Sequence, residues 1–492
     1  MKINKRHFFI DTFSNGVYFG SKFLGSLVIY SILINSYDLD TYGVYIFFAS
    51  LLAQLEFMQA GFSTSLLRFL PIYGNNTIKK SNLIAVVSLS YLGIGILVSI
   101  ALIALSYTQL FAYLAFSGWE NYVKILIIVA PIFWFFKSFS FALRGVKDFR
   151  FDNLINLFFL VLEILGIWML SKRSQSLETI FAFVFLMAIV KHFTHFLALK
   201  IRHGLKISAI KGTLIKDEFQ QIKRFSFWNF VSAFSGMMIN QFDKTLVGIF
   251  LGPSAITIYY GVQQLIKIFT SVVAVINDAV IPYFSNKITQ LKHTEFNHIA
   301  ERGTTISSFI AFAFAAYLVL FHQRIFNLMA KDFLIDYSTI FIVGLMLYAF
   351  IAGRNFINKM HIAKADIIKE LGIIVLITSG LYPIIFYVLT KKYSLNGAIL
   401  SPIIAHIIVF PAWLYIVLRT TKMTLSRFFK SILISGVCIL IVFLPFYFLN
   451  QNWKQPPLLV FSIECLISLI LLVLAERYII RSSIFKLIRN AV

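Results

Sequence analysis

Apolar residues in this chain form long runs and do not alternate with polar residues at the spacing of an amphipathic helix. Each run holds roughly 18–25 residues, and a helix of that length crosses the ~30 Å hydrocarbon core of a bilayer. Alternating segments of ~10 residues, which a spanning β-barrel needs, do not recur. The pattern therefore predicts an all-α integral membrane protein with about fourteen spanning helices. The predicted spans are 8–35, 43–67, 82–106, 121–143, 153–171, 178–199, 225–250, 256–281, 303–323, 336–357, 368–390, 396–418, 428–449 and 456–476.

Composition agrees with this class, because 59% of the 492 residues are hydrophobic and only 13% are charged. Soluble domains carry roughly 25% charged residues. The formal net charge of +23 would suit a nucleic-acid-binding protein. However, the charges lie in short segments between the apolar runs, so membrane lipids and not nucleic acid are the expected partners.

The basic residues also predict the orientation of the chain. If the N-terminus is cytoplasmic, about 31 Lys and Arg residues fall on the cytoplasmic side and about 7 on the other. Outer connections such as Asn35–Tyr42 and Gly252–Thr257 contain no Lys or Arg. We therefore expect an even number of spans, with both termini cytoplasmic.

A weak internal repeat suggests two lobes. When residue n is laid on residue n+214, the first span falls on the seventh, and the longest basic connection, 201–224, separates the two sets of six. We predict two pseudo-symmetric six-helix lobes, 1–200 and 225–420, joined by a cytoplasmic linker, 201–224. Two extra helices and a basic tail follow in 421–492. The matched positions are Phe13, Asn15, Val17, Ser21 and Tyr45 with Phe227, Asn229, Val231, Ser235 and Tyr259.

Several predicted spans carry polar residues on one helical face, and such a face cannot contact lipid cheaply. Lys22, Lys244 and Lys267 lie well inside their spans. One interpretation is a central cationic cavity, which would suit a phosphate or pyrophosphate. The alternative is a set of interhelical ion pairs, for example Lys22 with Glu56, or Asp243 with a neighbouring lysine. The other polar residues assigned to this cavity are Asp11, Asn15, Glu56, Gln59, Asn240, Asp243 and Gln263.

Other buried-looking charges have a plainer interpretation. Lys137 and Lys191 lie about two turns from cytoplasmic helix ends, where a long side chain can reach the interface. His192 and His195 lack a nearby carboxylate cluster in the sequence and are interpreted as interfacial and not metal-binding. No Gly-Lys-Ser/Thr phosphate-binding loop is present. We expect neither enzymatic activity nor a cofactor, and leave proton or sodium coupling open.

Sequence motifs resemble those of polysaccharide-unit flippases in the multidrug/oligosaccharidyl-lipid/polysaccharide exporter superfamily. Tyr42-Gly-Val-Tyr45 and Gly61-Phe-Ser-Thr-Ser-Leu-Leu-Arg68 are similar to the opening of these proteins. Gln241-Phe-Asp243 with Leu251-Gly-Pro253, and Tyr393-Ser-Leu-Asn-Gly397, are similar to later segments. The sequence departs from the family at Gln59, where many relatives carry an acidic residue.

The resemblance implies a carrier in the bacterial plasma (inner) membrane that moves an undecaprenyl-pyrophosphate-linked oligosaccharide to the outer leaflet. The glycan would be O-antigen of lipopolysaccharide, capsule or a similar polymer, with a glycan polymerase and a chain-length regulator as candidate partners. Alternating access of the two lobes would move the substrate. Lys22, Lys244 and Lys267 would contact the pyrophosphate, and Asp11, Glu56 and Asp243 would tune those charges or couple to an ion.

Three alternatives remain open from the sequence. A cation-coupled multidrug exporter of the same superfamily is disfavoured by the intramembrane lysines, which would repel cationic drugs. A flippase for the peptidoglycan lipid precursor shares the fourteen-helix plan. A membrane glycosyltransferase or polymerase would usually need a large outer loop, and the outer connections here are short.

Overall fold

The computed structural model describes 5–55, 60–74, 76–108, 118–204, 242–266, 293–329, 338–352, 354–364, 368–421 and 423–451, with isolated residues between 220 and 238. Every regular element in these ranges is helical. The helices are α1 Lys5–Ser36, α2 Leu39–Leu55, α3 Ala60–Ile72, α4 Thr77–Tyr107, α5 Trp119–Gly145, α6 Phe149–Lys172, α7 Leu177–His203, α8 Phe242–Leu251, α9 253–266, α10 His293–Met329, α11 Ser338–Ala352, α12 Arg354–Lys364, α13 Ile368–Thr421 and α14 Leu425–Gln451.

Seven of the described helices are long and apolar enough to cross a membrane. They include α4 to α7, α10, α13 and α14, and each overlaps at least one predicted span. The prediction of an all-α integral membrane protein is therefore confirmed. The predicted span 456–476 lies outside the described residues, so the count of fourteen stays a prediction.

Helix α13 is long because it joins two predicted spans. It covers 54 residues and contains three prolines. Ser394 has φ 52° and ψ −136°, which are not helical angles, and so it marks a kink. This kink falls between the predicted spans 368–390 and 396–418, so α13 consists of two spanning helices that meet at Ser394.

The chain divides into two compact units, Met1–Tyr260 and Gly261–Val492. Most of the predicted linker, 201–224, lies outside the described residues, and so the lobe boundaries 1–200, 225–420 and 421–492 stay predictions. In the first unit α4 packs on α5 and α1 packs on α6. The approach of α4 to α5 is close at Gly95, where an added Cβ would come within 2.5 Å of the Pro131 Cα atom.

The cores of both units are built on aromatic side chains. In the first unit the Phe48 and Tyr122 rings stack at 5.2 Å, and Tyr122 contacts Phe181 edge-on at 5.0 Å. In the second unit Trp413 stacks on a neighbouring phenylalanine and donates a 2.6 Å hydrogen bond from Nε1 to Asn358 Oδ1. Buried aromatic pairs of this kind add to the stability that area burial alone provides.

Candidate functional site: a cationic cavity in the first unit

A cavity of about 430 Å³ lies between α1, α2, α5, α6 and α7 of the first unit. This volume falls in the usual range for ligand pockets, ~300–1,000 Å³. Its walls combine charged, polar and aromatic side chains. The lining residues are Tyr18, Lys22, Tyr45, Ala49, Ala53, Phe133, Lys137, Ser140, Phe141, Arg144, Asn156, Glu163, Phe181, Val184, Phe185, Ala188, Lys191 and His192.

The charge of this cavity is strongly positive. Lys22, Lys137, Arg144 and Lys191 line it, and Glu163 is the one acid among the described lining residues. Lys137 Nζ also lies 5.2 Å from the centre of an aromatic ring in the same wall. Charges inside a membrane are costly unless they are paired or face water, and they usually mark a substrate or ion pathway. The arrangement is suited to an anion, because ammonium and guanidinium groups bind phosphate oxygens through strong, charge-assisted hydrogen bonds.

A buried ionic network behind the cavity holds Arg144. Its Nε lies 2.6 Å from Asp152 Oδ2, and its side chain is 29% exposed, whereas the side chains of Asp152 and His195 are fully buried. Ser140 donates a 3.0 Å hydrogen bond to Asp152 Oδ1, and His195 Nε2 lies 3.0 Å from the same oxygen. Arg144 therefore belongs both to this network, through its Nε, and to the cavity lining.

His192 adds an unsatisfied polar group to the wall. This side chain is 7% exposed, and its Nδ1 has no hydrogen-bond partner among the described residues. The neighbouring His195 Nδ1 lies 2.8 Å from the Lys191 carbonyl oxygen. Buried polar atoms without partners are uncommon, and in a cavity wall such an atom can receive a ligand or a water molecule.

The structure brings only part of the predicted site to this cavity. Lys22 lines it, as the stripe on the first span predicts. Lys244 is 2% exposed, and its Nζ lies 2.8 Å from Asp243 Oδ1, while Tyr259 donates a 2.9 Å hydrogen bond to Asp243 Oδ2. In this conformation, therefore, Asp243 forms a buried ion pair with the neighbouring Lys244, as the second interpretation of the polar residues describes. Gln263 is half-buried in α9.

The remaining predicted site residues have no described side chains. Their roles stay predictions. Glu56, Gln59, Asn240 and Lys267 lie outside the described residues, and the side chains of Asp11 and Asn15 in α1 also do.

The sequence interpretation missed most of the cationic wall. The sequence predicts interfacial positions for Lys137, Lys191, His192 and His195, but the structure places the first three in the cavity lining and buries His195 fully. A signal existed, because Lys137 and Arg144 are seven residues apart and share one face of a helix. What the sequence lacks is the packing of α5, α6 and α7, which brings separate charges together.

A second arrangement of polar contacts joins α1 and α2 to the start of α9. We call it the α2–α9 junction, and it comprises three hydrogen bonds. Ser254 N donates to Asp40 Oδ1 at 3.1 Å. Thr257 Oγ1 donates to the Leu39 carbonyl at 2.7 Å, and Tyr30 donates to the Thr257 carbonyl at 3.2 Å.

The backbones also approach closely at this junction. Gly43 lies against the Pro253 carbonyl, and a Cβ at position 43 would collide with that carbonyl. In the preceding turn, Thr41 donates hydrogen bonds to Asp38 from its backbone N at 2.8 Å and from its Oγ1 at 2.6 Å. These bonds stabilise the charged carboxylate, so they lower the pKa of Asp38 and fix the start of α2.

The second unit carries polar residues at equivalent sequence positions. Arg354 and His406 come 214 residues after Ser140 and His192. In this unit Arg354 Nη2 lies 3.0 Å from His406 Nδ1, so the nitrogen must accept and the imidazole proton lies on Nε2. The offset is the one that relates the first and seventh predicted spans, and at this offset His192 meets His406, while Ser140 meets Arg354; the repeat itself stays a prediction.

We expect Asp152→Asn to destabilise the first unit strongly. The substitution leaves Arg144 without its buried counter-charge, and breaking a buried ion pair costs about 3 kcal/mol or more. The melting temperature of the purified protein measures this loss. The matched control is Asp148→Asn, because Asp148 pairs with Arg202, whose side chain is 49% exposed, and such a pair contributes under about 1 kcal/mol. Equal melting temperatures for the two variants would contradict the structural role of Asp152.

Solved structures of transporters share this fold. A lipid II flippase MurJ in an inward closed conformation aligns with a TM-score of 0.69 and 19% identity, over 94% of this chain and 99% of that chain. An inward-facing multidrug resistance MATE family transporter of the MOP superfamily aligns with a TM-score of 0.62 and 13% identity, over 82% and 96%. The outward-facing conformation of a MATE transporter gives 0.52 and 14%, over 85% and 97%.

Because these sequence identities are low, the structural likeness establishes the fold alone and not the substrate. The chain is a multi-pass helical membrane protein with the fold of MOP superfamily transporters. No family model matches the sequence, and no curated protein matches it in sequence. The expected superfamily fold is therefore confirmed, and the narrower resemblance to polysaccharide-unit flippases stays a prediction.

Proposed function

We propose that this protein is a flippase that moves an undecaprenyl-pyrophosphate-linked oligosaccharide from the cytoplasmic to the outer leaflet of a bacterial plasma membrane. The observation that carries the proposal is the cavity with Lys22, Lys137, Arg144 and Lys191 in its walls. A cavity of this charge inside the membrane is suited to an anion and repels cationic drugs. It therefore favours a lipid-linked diphosphate over the multidrug substrates of the MATE proteins.

The remaining walls suit a saccharide. Tyr18, Tyr45, Phe133 and Phe181 offer flat apolar surfaces, on which the C–H faces of sugar rings pack well. Asn156 and Ser140 supply hydrogen-bonding groups beside them. The polyprenyl tail is as apolar as the lipid chains and has no reason to leave the bilayer. We propose that the diphosphate and the first sugars enter the cavity while the tail stays in the membrane.

The α2–α9 junction supports an alternating-access mechanism. In the predicted orientation, with both termini cytoplasmic, the connections that precede α2 and α9 lie on the outer side. Contacts there hold the outer ends of these helices together, and we propose that the junction opens when the substrate is released outward. Lys244 and Lys267 remain candidate contacts in such an open conformation.

A second candidate is the peptidoglycan lipid-precursor flippase. One observation favours it. The solved structure that aligns with a TM-score of 0.69 is a lipid II flippase, and the alignment covers 99% of that flippase. The substrates of both candidate flippases contain an undecaprenyl diphosphate, so the same cavity would bind either substrate. They differ in the glycan and in whether the cell survives without the protein.

Deletion of the gene, with analysis of lipid-linked intermediates, tests these candidates. We expect the deletion strain to survive, to lose a surface glycan, and to accumulate the complete diphosphate-linked unit in the cytoplasmic leaflet. The wild-type gene should reverse both changes. A lethal deletion with accumulated peptidoglycan precursor would establish the second candidate. Normal lipid pools with drug hypersensitivity would overturn both and indicate a multidrug exporter.

A further inference from the structure

Glu163 is the one acidic side chain among the described residues that line the cationic cavity. It lies on α6, which packs against α1, the helix of Lys22, and against α7, the helix of Lys191. The charges of both lysines act on its carboxylate. The acid is therefore placed among the cations that would hold an anionic substrate, and it does not belong to the buried network around Asp152.

Three lysines, Lys22, Lys137 and Lys191, around an empty cavity would be costly inside a membrane without counter-charge. A carrier must nevertheless pass through an empty state, because it returns without substrate after each release. Some counter-charge is needed in that state, and Glu163 supplies one that is covalently part of the wall. The same carboxylate opposes a bound diphosphate, since like charges in a confined site repel.

We infer that Glu163 is the internal counter-anion of the empty cavity, and that the diphosphate of the substrate displaces it from Lys22 and Lys191. This inference rests on the proposed function. It gives Glu163 two effects of opposite sign. The carboxylate weakens substrate binding, which favours release, and it stabilises the empty carrier, which favours return.

Removal of this charge should therefore tighten binding and slow transport. We expect Glu163→Gln to bind inorganic pyrophosphate about tenfold more tightly than the wild type. Isothermal titration calorimetry on the purified protein in lipid nanodiscs measures the affinity. Glycan export in the deletion strain should fall at least about fivefold, because the empty cavity is no longer balanced. A residue with a purely structural role would weaken both binding and export.

Two variants serve as controls for the charge. Glu163→Asp keeps the carboxylate, and we expect it to restore an affinity close to that of the wild type. Glu178→Gln removes a carboxylate from the same unit outside the cavity lining, and we expect it to leave the affinity unchanged. If Glu163→Gln folds poorly, the comparison is repeated in the Lys22→Gln background, where the added substitution should again tighten binding.

The outcomes separate this inference from the proposed function. Tighter pyrophosphate binding by Glu163→Gln with reduced export supports it. Unchanged or weaker binding by that variant, while the wild type binds pyrophosphate, overturns the role of Glu163 and leaves the flippase proposal standing. A wild-type protein that binds no pyrophosphate overturns the anion site itself and therefore both.

Discussion

Replacement of Lys22, Lys137 and Lys191 together by glutamine is expected to abolish glycan export. The three side chains supply most of the positive charge in the cavity of the first unit. Hydrogen bonds to charged groups contribute about 1.5–3 kcal/mol each, so even partial loss of three should reduce pyrophosphate affinity by more than about a hundredfold. Restoration of surface glycan in the deletion strain, together with calorimetry, measures the two effects.

The matched control removes three lysines from the same unit outside the cavity. Lys79, Lys172 and Lys200 are exposed near helix ends and do not line it. We expect the triple glutamine variant at these positions to retain binding and export. Normal export by the cavity variant, at wild-type protein levels, would show that the cationic wall is not the substrate site.

A bulkier residue at Gly43 is expected to block transport without removing the anion site. Gly43→Val puts side-chain atoms where the Pro253 carbonyl lies, so the α2–α9 junction cannot close as observed. Overpacking of a tight contact costs about 1–3 kcal/mol, which is enough to shift the population of the closed conformation by about fivefold or more. Export should fall at least about fivefold, whereas pyrophosphate affinity should change less than about threefold.

Cross-linking across the junction reports the conformation directly. A cysteine pair at Asp40 and Ser254, which are hydrogen-bonded in the structure, should form a disulfide efficiently when Cys438 and Cys465 are replaced by serine. Adding Gly43→Val should reduce the yield. The matched control is Gly93→Val, because Gly93 is helical and has no atom within 4 Å of an added Cβ. Equal cross-linking and export for the two valine variants would exclude a role for the junction in the cycle.

Local pattern explains why the helices were predictable. A run of apolar residues such as 153–171 must lie in lipid or in a core, and its backbone groups can be satisfied only within a helix, so Phe149–Lys172 follows from the sequence. The kink at Ser394 is predictable in the same way, because two spans of ordinary length need a break between them. Lys22 is predictable as a cavity residue because its polar neighbours recur on one helical face.

The rest of the site depends on contacts between distant segments. Lys191 has the same local sequence signature as a lysine that reaches the interface, and only the packing of α7 against α2, α5 and α6 turns it into the cavity. Asp152 and His195 are 43 residues apart, and no local pattern pairs them. Lys244 shows the reverse case, since its stripe suggests a cavity, while its neighbour Asp243 holds it in a buried ion pair.

The sequence by itself determined that the protein lies in a lipid bilayer, that it is helical, and where most of its spans fall. The length of an apolar run and the hydrogen bonding of its backbone are properties of a single segment. It also determined that charges lie inside the membrane. Only the tertiary structure decided which of those charges share a cavity and which are neutralised in pairs. The physical reason is that the energy of a charge depends on the groups around it in space, and five separate helices supply those groups here.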